Sequence, residues 1–278
     1  MSNERNRKQG LFIVVDGLDG IGKGEVERAL RGFEERQGKA IYDTVAHSKA
    51  WEELPELSDF FGIPKPHYNT IMTAEPTFEG IGKVIREEII AKNGRQYSAE
   101  IQMQMYSGNR LVQMRRVVIP ALLHGINVLQ SRCCAATLTY QSLTAEEQNR
   151  NAEEIRKRIL EHEGNILQLE YRPDLMLIPT IQSVDTLMDR IEERGRTRKD
   201  DNSEFENAAF QGKLKPLYES DWLREIFTSK GTQIAYLNAG ISEAATKEQA
   251  VEVYRSFIKD KVIPQRYQSV ANVLKISA

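Results

Sequence analysis

Cysteine is almost missing from this chain of 278 residues: it has two, and they are neighbours, Cys133 and Cys134. Adjacent cysteines cannot form an ordinary structural cross-link, so no disulfide framework holds the fold. The pair fits a reducing compartment and packing just after a strand better than a reactive thiol. Net charge is nearly absent as well, at −2 from 38 Lys+Arg against 40 Asp+Glu. Such a balance gives no global attraction to nucleic acid or membrane, so any basic chemistry has to be local. No apolar run approaches the length of a membrane span, and the polar start Met1-Ser-Asn-Glu-Arg-Asn-Arg-Lys8 runs directly into an apolar strand, leaving no room for a signal peptide. The expectation is a cytoplasmic protein with neither nucleic acid nor membrane as partner. Internal repeats, low-complexity tracts and long linkers are also lacking, which favours one domain over 1–278.

What the chain does have is a glycine-rich turn directly after an apolar strand. Leu11-Phe-Ile-Val-Val15 leads into Gly17-Leu18-Asp19-Gly20-Ile21-Gly22-Lys23-Gly24, the pattern G-x-x-x-x-G-K. Small residues let successive backbone N–H groups close around a phosphate, the next helix points its positive end there, and Lys23 can reach the terminal phosphates. The alternative is a glycine-rich turn without a ligand. The hydroxyl residue that usually follows the Lys and holds Mg²⁺ is absent, since Gly24 and Glu25 stand there. Further on, apolar runs near 11–16, 69–73, 126–131, 174–179 and 232–237, with a weaker one near 40–44, alternate with helical patterns, as in parallel βαβ units. The spacing predicts helices from the loop to before Gly38, from Ser98 to Pro120, from a capping box at Thr144-Ala-Glu-Glu147 to Gly164, and over about 243–261.

Three later segments carry a resemblance. They are Thr73-Ala-Glu75-Pro-Thr77 followed by Gly80-Ile-Gly-Lys-Val-Ile-Arg-Glu-Glu88, then Tyr106-Ser-Gly-Asn-Arg110, then Ser131-Arg132-Cys-Cys-Ala-Ala-Thr137-Leu-Thr-Tyr140-Gln141. With the glycine loop, in this order and spacing, they resemble the thymidylate kinase family of P-loop nucleoside monophosphate kinases. Arg172-Pro-Asp-Leu175 resembles the family's entry to its fifth strand, and Arg190-Ile-Glu-Glu-Arg194-Gly-Arg196-Thr-Arg198 its mobile lid. Tyr236-Leu-Asn-Ala-Gly240-Ile-Ser242 resembles the loop near the adenine. The resemblance covers roughly 10–45 and 69–262. It implies an α/β P-loop NTPase three-layer sandwich, a mostly parallel five-stranded sheet flanked by helices, with a lid at about 194–204, an insertion at about 46–68 and a tail at about 263–278.

The implied reaction is Mg²⁺-assisted transfer of the γ-phosphoryl group of ATP to a pyrimidine monophosphate, with dTMP favoured; a homodimer is implied too. A nucleotide-binding regulatory protein without turnover is the second reading. Gly17 to Gly24 would hold ATP. Lys23, Arg132, Arg196 and Arg198 would supply charge to the transfer, because position 20 is Gly and the lid arginines, with Arg194, would replace a basic loop residue; a solvated basic turn is the alternative for those arginines. Asp19, Glu75, Tyr106, Arg110, Arg132, Thr137, Tyr140 and Gln141 would face the acceptor.

Tyr106 and Arg110 are four apart on a predicted helix and share a face, suited to stacking on a pyrimidine and donating to its carbonyl, or else forming an ordinary exposed contact. Arg132 leaves a strand end where open sheets bind ligands and its fork suits a phosphate, although a surface ion pair has the same signature. Thr137 and Tyr140 match base and sugar contacts or fill the core.

Departures matter as well. Ala74 stands where the family has Arg, Ser131 where it has Asp and Gly24 where it has the metal-binding hydroxyl, so one acceptor-phosphate contact and two supports for Mg²⁺ are gone. Asp16, Asp19 and Glu75 remain as carboxylates that could hold the metal through water, and the sequence does not choose among them. Lys49 or Lys65 could stand in for the missing arginine. In the insertion, Trp51, Leu54, Leu57, Phe60 and Phe61 suit either a short lid over the acceptor site or a satellite cluster on the domain edge. His47 and His67 read as loop histidines without metal-ligand spacing.

Overall fold

A run of β-branched and aromatic residues with no polar position is buried on both faces, and Phe12–Val15 (β1) is such a strand, fully enclosed. The computed structural model describes residues 9–61, 67–184, 187, 203 and 205–260. After β1 come α1 (Lys23–Arg36), β2 (Ile41–Asp43), α2 (Thr44–Trp51), α3 (Leu57–Phe60), β3 (Thr70–Ala74), α4 (Ile81–Val84), α5 (Ala99–Gln113), α6 (Ile119–Leu123) and β4 (Asn127–Ser131). The chain continues through α7 (Cys134–Glu147), α8 (Ala152–Glu161), α9 (Glu163–Glu170) and β5 (Leu175–Thr180). Helices Ala208–Tyr218 and Asp221–Thr228, strand β6 (Gln233–Asn238) and helix Glu243–Asp260 complete it.

The sheet has six strands in the order β2-β3-β4-β1-β5-β6, every pair parallel. Five strands were expected. The sixth is the weak run near 40–44, a short, half-buried edge strand that carries too few apolar residues to stand out. Two apolar layers cover the sheet. One packs α5 to α9 and helix Ala208–Tyr218 on one face, around Phe12, Val14, Ile71 and Val128. The other packs α1 and helix Glu243–Asp260 on the opposite face, around Ile13, Val15, Leu30 and Tyr254. No described helix is long and apolar enough to cross a membrane.

Three helix boundaries differ from expectation. The helix capped by Ser98, whose side chain accepts from Ile101 N, does not stop at Pro120. It widens into a π-turn at Met114–Val118 and resumes as α6 with proline in its first turn, where the missing N–H costs nothing. Thr144 opens no helix; it lies buried in the last turn of α7 and its hydroxyl bonds back to Tyr140 O at 2.9 Å. The cap that starts α8 is Asn151, accepting from Glu154 N. Gly164 does not end a helix but sits in the first turn of α9, where an added Cβ would lie 2.1 Å from Ser107 O of α5. Close helix approach, not a C-cap, explains that glycine.

The described part of the insertion is two short helices, and Phe60 is wholly buried in the main core with Leu57 and Phe61 against it. Trp51 is 70% exposed. Leu57, Phe60 and Phe61 thus join the main core rather than a satellite cluster on the domain edge, while Leu54 lines a pocket with Thr73, Ala74 and Phe78. His47 belongs to α2 rather than a loop, its Nδ1 2.6 Å from Tyr42 OH. Cys133 and Cys134 are free and buried at the start of α7, as packing requires.

Candidate active site

The parallel register lines up the C-terminal ends of the three strands that carry the motifs. Val15 pairs with Ser131, and Ser131 with Ala74. Backbone bonds continue past the ends, Arg132 N to Val15 O at 2.8 Å and Glu75 N to Ser131 O at 2.9 Å. The loops after β1, β3 and β4 therefore meet at one edge, beside the point where the strand order reverses across β1. Open α/β sheets bind ligands there.

The glycine loop has the backbone its sequence calls for. Gly17, Gly20 and Gly22 take φ of 138°, 73° and 97°, and a Cβ built on Gly22 or Gly24 would meet open space within 4 Å. Gly22 caps α1, so Lys23 starts a helix whose free amides face the loop. The Lys23 ammonium donates to Gly17 O at 3.1 Å and Leu18 O at 2.5 Å, 3.7 Å from Asp19. Burial, helped by Arg132, lowers its pKa to about 8.

Arg132 has φ of 66°, a strained value for a non-glycine residue and one that functional sites tend to store. Its guanidinium forms a short ion pair with Asp19 and stands 5.4 Å from the centre of the Tyr140 ring. Burial opposes its charge most strongly, but Asp19, together with Tyr140, Tyr218 and Asp16, more than offsets it and holds its pKa well above the ordinary arginine value. Tyr140 OH donates to the other Asp19 oxygen at 2.9 Å, and Gln211 bonds both the Asp19 amide and its carboxylate.

A cleft lies between these groups and α5. Asp19, Glu75, Tyr106, Arg132, Thr137, Tyr140 and Gln141 line it, so the structure brings together seven of the eight residues expected at an acceptor. Burial pushes the Tyr106 hydroxyl up to about 12, so its ring is neutral and apolar against the cleft. Gln141 donates to Gln102 at 3.3 Å.

Arg110 is the eighth, and it is placed differently. It is 1% exposed, behind the cleft wall rather than on it. Its guanidinium pairs with Glu75 at 2.6 Å, donates to Thr137 Oγ1 at 3.0 Å, and bonds Asn165. Gln130 and Gln168 each donate to the remaining Glu75 oxygen at 2.9 Å. An ordinary exposed Tyr–Arg contact is excluded by that burial. The spacing of four did put both residues on one side of the helix, but the pattern could not show that a buried carboxylate would claim the guanidinium.

Two residues not expected from the sequence line the clefts. Arg86, in the π-turn after α4, lies 4.0 Å from the centre of the Phe78 ring and donates to Pro76 O at 2.6 Å and Thr77 O at 3.2 Å. Lys49, one of the two lysines considered for the Ala74 gap, contacts the same ring at 4.7 Å. Glu27, one turn after Lys23 on α1, lines the phosphate-loop cleft beside Ser131. Burial raises its carboxyl pKa against the pull of the Ser131 hydroxyl, Lys23 and Arg132. A glutamate in a charged amphipathic helix reads as solvated, which hid it; Arg86 was in plain view in the Gly80 stretch with no local signal of its role. Lys65, Arg194, Arg196, Arg198, the expected tail at 263–278 and nearly all of the expected lid at 194–204 lie outside the described residues. The loop after β6, expected near an adenine, leads to Glu243 and Thr246 on the phosphate-loop cleft.

Strand order, glycine loop and lysine place the chain among the P-loop α/β nucleotide-binding proteins. A sequence model described as Thymidylate kinase matches residues 63–247, well over half of the chain, and the chain belongs to the thymidylate kinase family. It is similar to a thymidylate kinase of Neisseria meningitidis, 28% identical over 207 residues, covering 74% of this chain and 80% of that one. A thymidylate kinase of Desulfosudis oleivorans is 25% identical over 211 residues, 75% and 81% of the two chains. A probable thymidylate kinase of Pyrococcus horikoshii is 26% identical over 136 residues, 48% and 52%. The family match begins downstream of the glycine loop, whose assignment rests on its own geometry.

Proposed function

We propose that this chain is an ATP-dependent nucleoside monophosphate kinase that transfers the γ-phosphoryl group of ATP to dTMP. One observation carries the reading: the phosphate-loop cleft and the second cleft share Asp19, Glu75, Arg86, Arg132 and Glu206 as common walls. A donor phosphate on the loop and an acceptor phosphate in the second cleft would meet end to end there, the arrangement in-line displacement needs.

In this reading Lys23 neutralises charge on the donor, while Arg132 and Arg86 take the acceptor phosphate, Arg86 replacing the arginine missing at Ala74. Tyr106 stacks on the pyrimidine, and Thr137, Tyr140 and Gln141 contact base and sugar. Arg110 acts on the base through Thr137, which it holds. Arg196 and Arg198 of the lid add charge as the phosphoryl group moves; unchanged kcat in Arg196→Ala and Arg198→Ala removes that part of the reading. A Mg²⁺ ion accompanying ATP would supply charge to offset that of the phosphates. The chain fits such an ion, because Glu27 Oε1 is buried on the loop cleft with no hydrogen-bond partner among the described residues. A single cytoplasmic domain acting as a homodimer completes the proposal. Exposed Ile101 and Val112, about three turns apart on one stripe of α5, support the dimer, and a monomer in sedimentation equilibrium removes it.

The test is competition. With ATP, Mg²⁺ and equal dTMP, dUMP, AMP and GMP, chromatography should find dTDP as the leading product. Preferential formation of ADP or GDP from AMP or GMP would refute the acceptor assignment.

A further inference from the structure

A buried carboxylate oxygen without a donor is costly, so its place in a phosphate cleft asks for a ligand. Among the described residues Glu27 Oε1 is such an atom, on the wall that also carries Lys23, Ser131 and Arg132. Lys23 and Glu27 are four apart on α1 and so lie on one face, one turn from the loop.

The other carboxylates of this edge are committed. Asp16 accepts from Gly17 N at 2.8 Å, Cys133 N at 2.9 Å and Tyr218 OH at 2.9 Å. Asp19 holds Arg132 and Tyr140, and Glu75 holds Arg110, Gln130 and Gln168. Glu25 pairs with Arg28 and, at 2.7 Å, with Lys247; Glu206 and Glu243 have partners too. The three carboxylates considered from sequence for a metal, Asp16, Asp19 and Glu75, are thus those already bonded. Among the described residues no group of three or more His, Cys, Asp or Glu could hold a cation alone. That suits an ion bringing most of its ligands as phosphate oxygens and water, as Mg²⁺ does.

We propose that Glu27, through Oε1 and with the Ser131 hydroxyl beside it, supports the divalent cation that accompanies ATP on the glycine loop. The site rests on the kinase reading above. It moves the metal support from the usual residue after the lysine, here Gly24, to the next turn of α1. Gly24 presents no side chain, and a Cβ there would meet nothing within 4 Å, so the approach from Glu27 is open.

The experiment measures ATP binding without acceptor, by calorimetry, in Mg²⁺ and in EDTA, together with free Mn²⁺ by electron paramagnetic resonance. In Glu27→Gln, which keeps shape and removes charge, the Mg²⁺ enhancement of ATP affinity and the Mn²⁺ affinity of the ATP complex should fall about 10–100-fold, with ATP affinity in EDTA nearly unchanged. The double variant Glu27→Gln with Ser131→Asp should recover the metal linkage. A full metal effect in Glu27→Gln, an equal loss of ATP affinity with and without metal, or a double variant no better than the single overturns the proposal. Wild-type protein gives a check that needs no variant: Fe²⁺ replacing Mg²⁺ on bound ATP, with peroxide, should cleave the backbone around 24–28 and 131–132, and cuts confined to other segments overturn it. No ATP binding by the wild type defeats the kinase reading as well; ATP binding with unaltered metal dependence in the variant defeats this proposal alone.

Discussion

Arg110→Met removes the centre of the buried network behind the acceptor cleft, and its cost follows from what is left. The guanidinium donates to Glu75 at 2.8 Å, holds a second ion-pair contact with the same oxygen at 2.6 Å, and donates to Thr137 at 3.0 Å and to Asn165. Methionine fills the space of the stem but leaves the Glu75 carboxylate in the core with only two glutamine donors. Breaking a buried ion pair by removing one partner costs about 3–5 kcal/mol, or roughly two to four powers of ten in the folding constant. The cost depends on pH in a definite direction. Burial already raises the Glu75 pKa above its ordinary value and Arg110 pulls it back, so losing Arg110 raises it further. A carboxyl raised in the folded state contributes its stability below the unfolded value, and that contribution is lost as pH rises to the folded value. The variant's deficit should therefore be smallest at about pH 5 and larger at about pH 8. Urea titrations of wild type and variant at both pH values measure it. A deficit below about 1 kcal/mol, typical of an exposed pair, or one that shrinks as pH rises, would refute the network.

Lys23 with its pKa lowered to about 8 should make kcat/KM for ATP fall as pH rises through that value, because the free protein loses the loop's charge; a pH–rate profile checks this, and Lys23→Arg should move the fall upward. Arg86→Met should raise the KM for dTMP about 10–100-fold from loss of charged hydrogen bonds, with the KM for ATP little changed, and Ala74→Arg in that background should recover part of the loss in steady-state assays. Gly164→Ala should cost about 1–3 kcal/mol in urea titrations, since the new methyl meets the Ser107 carbonyl between α5 and α9; a loss under about 0.5 kcal/mol contradicts that contact.

Much of this was legible because the signals are local. The apolar run into Gly17-x-x-x-x-Gly22-Lys23 fixes strand, turn and helix within a dozen or so residues, and Ser98 caps α5 as its side chain predicts. Long-range pairing was less legible. Thr144 and Glu147 match a capping box, but α7 was already running through them, and Pro120 is absorbed by a π-turn that no pattern announces. At the site, the resemblance carried by the motifs named seven side chains that line one cleft. They could not show that Glu75 would claim Arg110, nor that Glu27 Oε1 would be buried, because both depend on elements far apart in sequence meeting at one sheet edge.

The most direct test of the account is the fate of the terminal phosphate of ATP. With [γ-³²P]ATP, dTMP and Mg²⁺, label should move to dTDP in step with ADP formation, and Lys23→Ala should stop the transfer while its circular dichroism matches the wild type. Label appearing only as inorganic phosphate, or wild-type protein that binds ATP and leaves the label on it with every monophosphate offered, would contradict phosphoryl transfer between the two clefts.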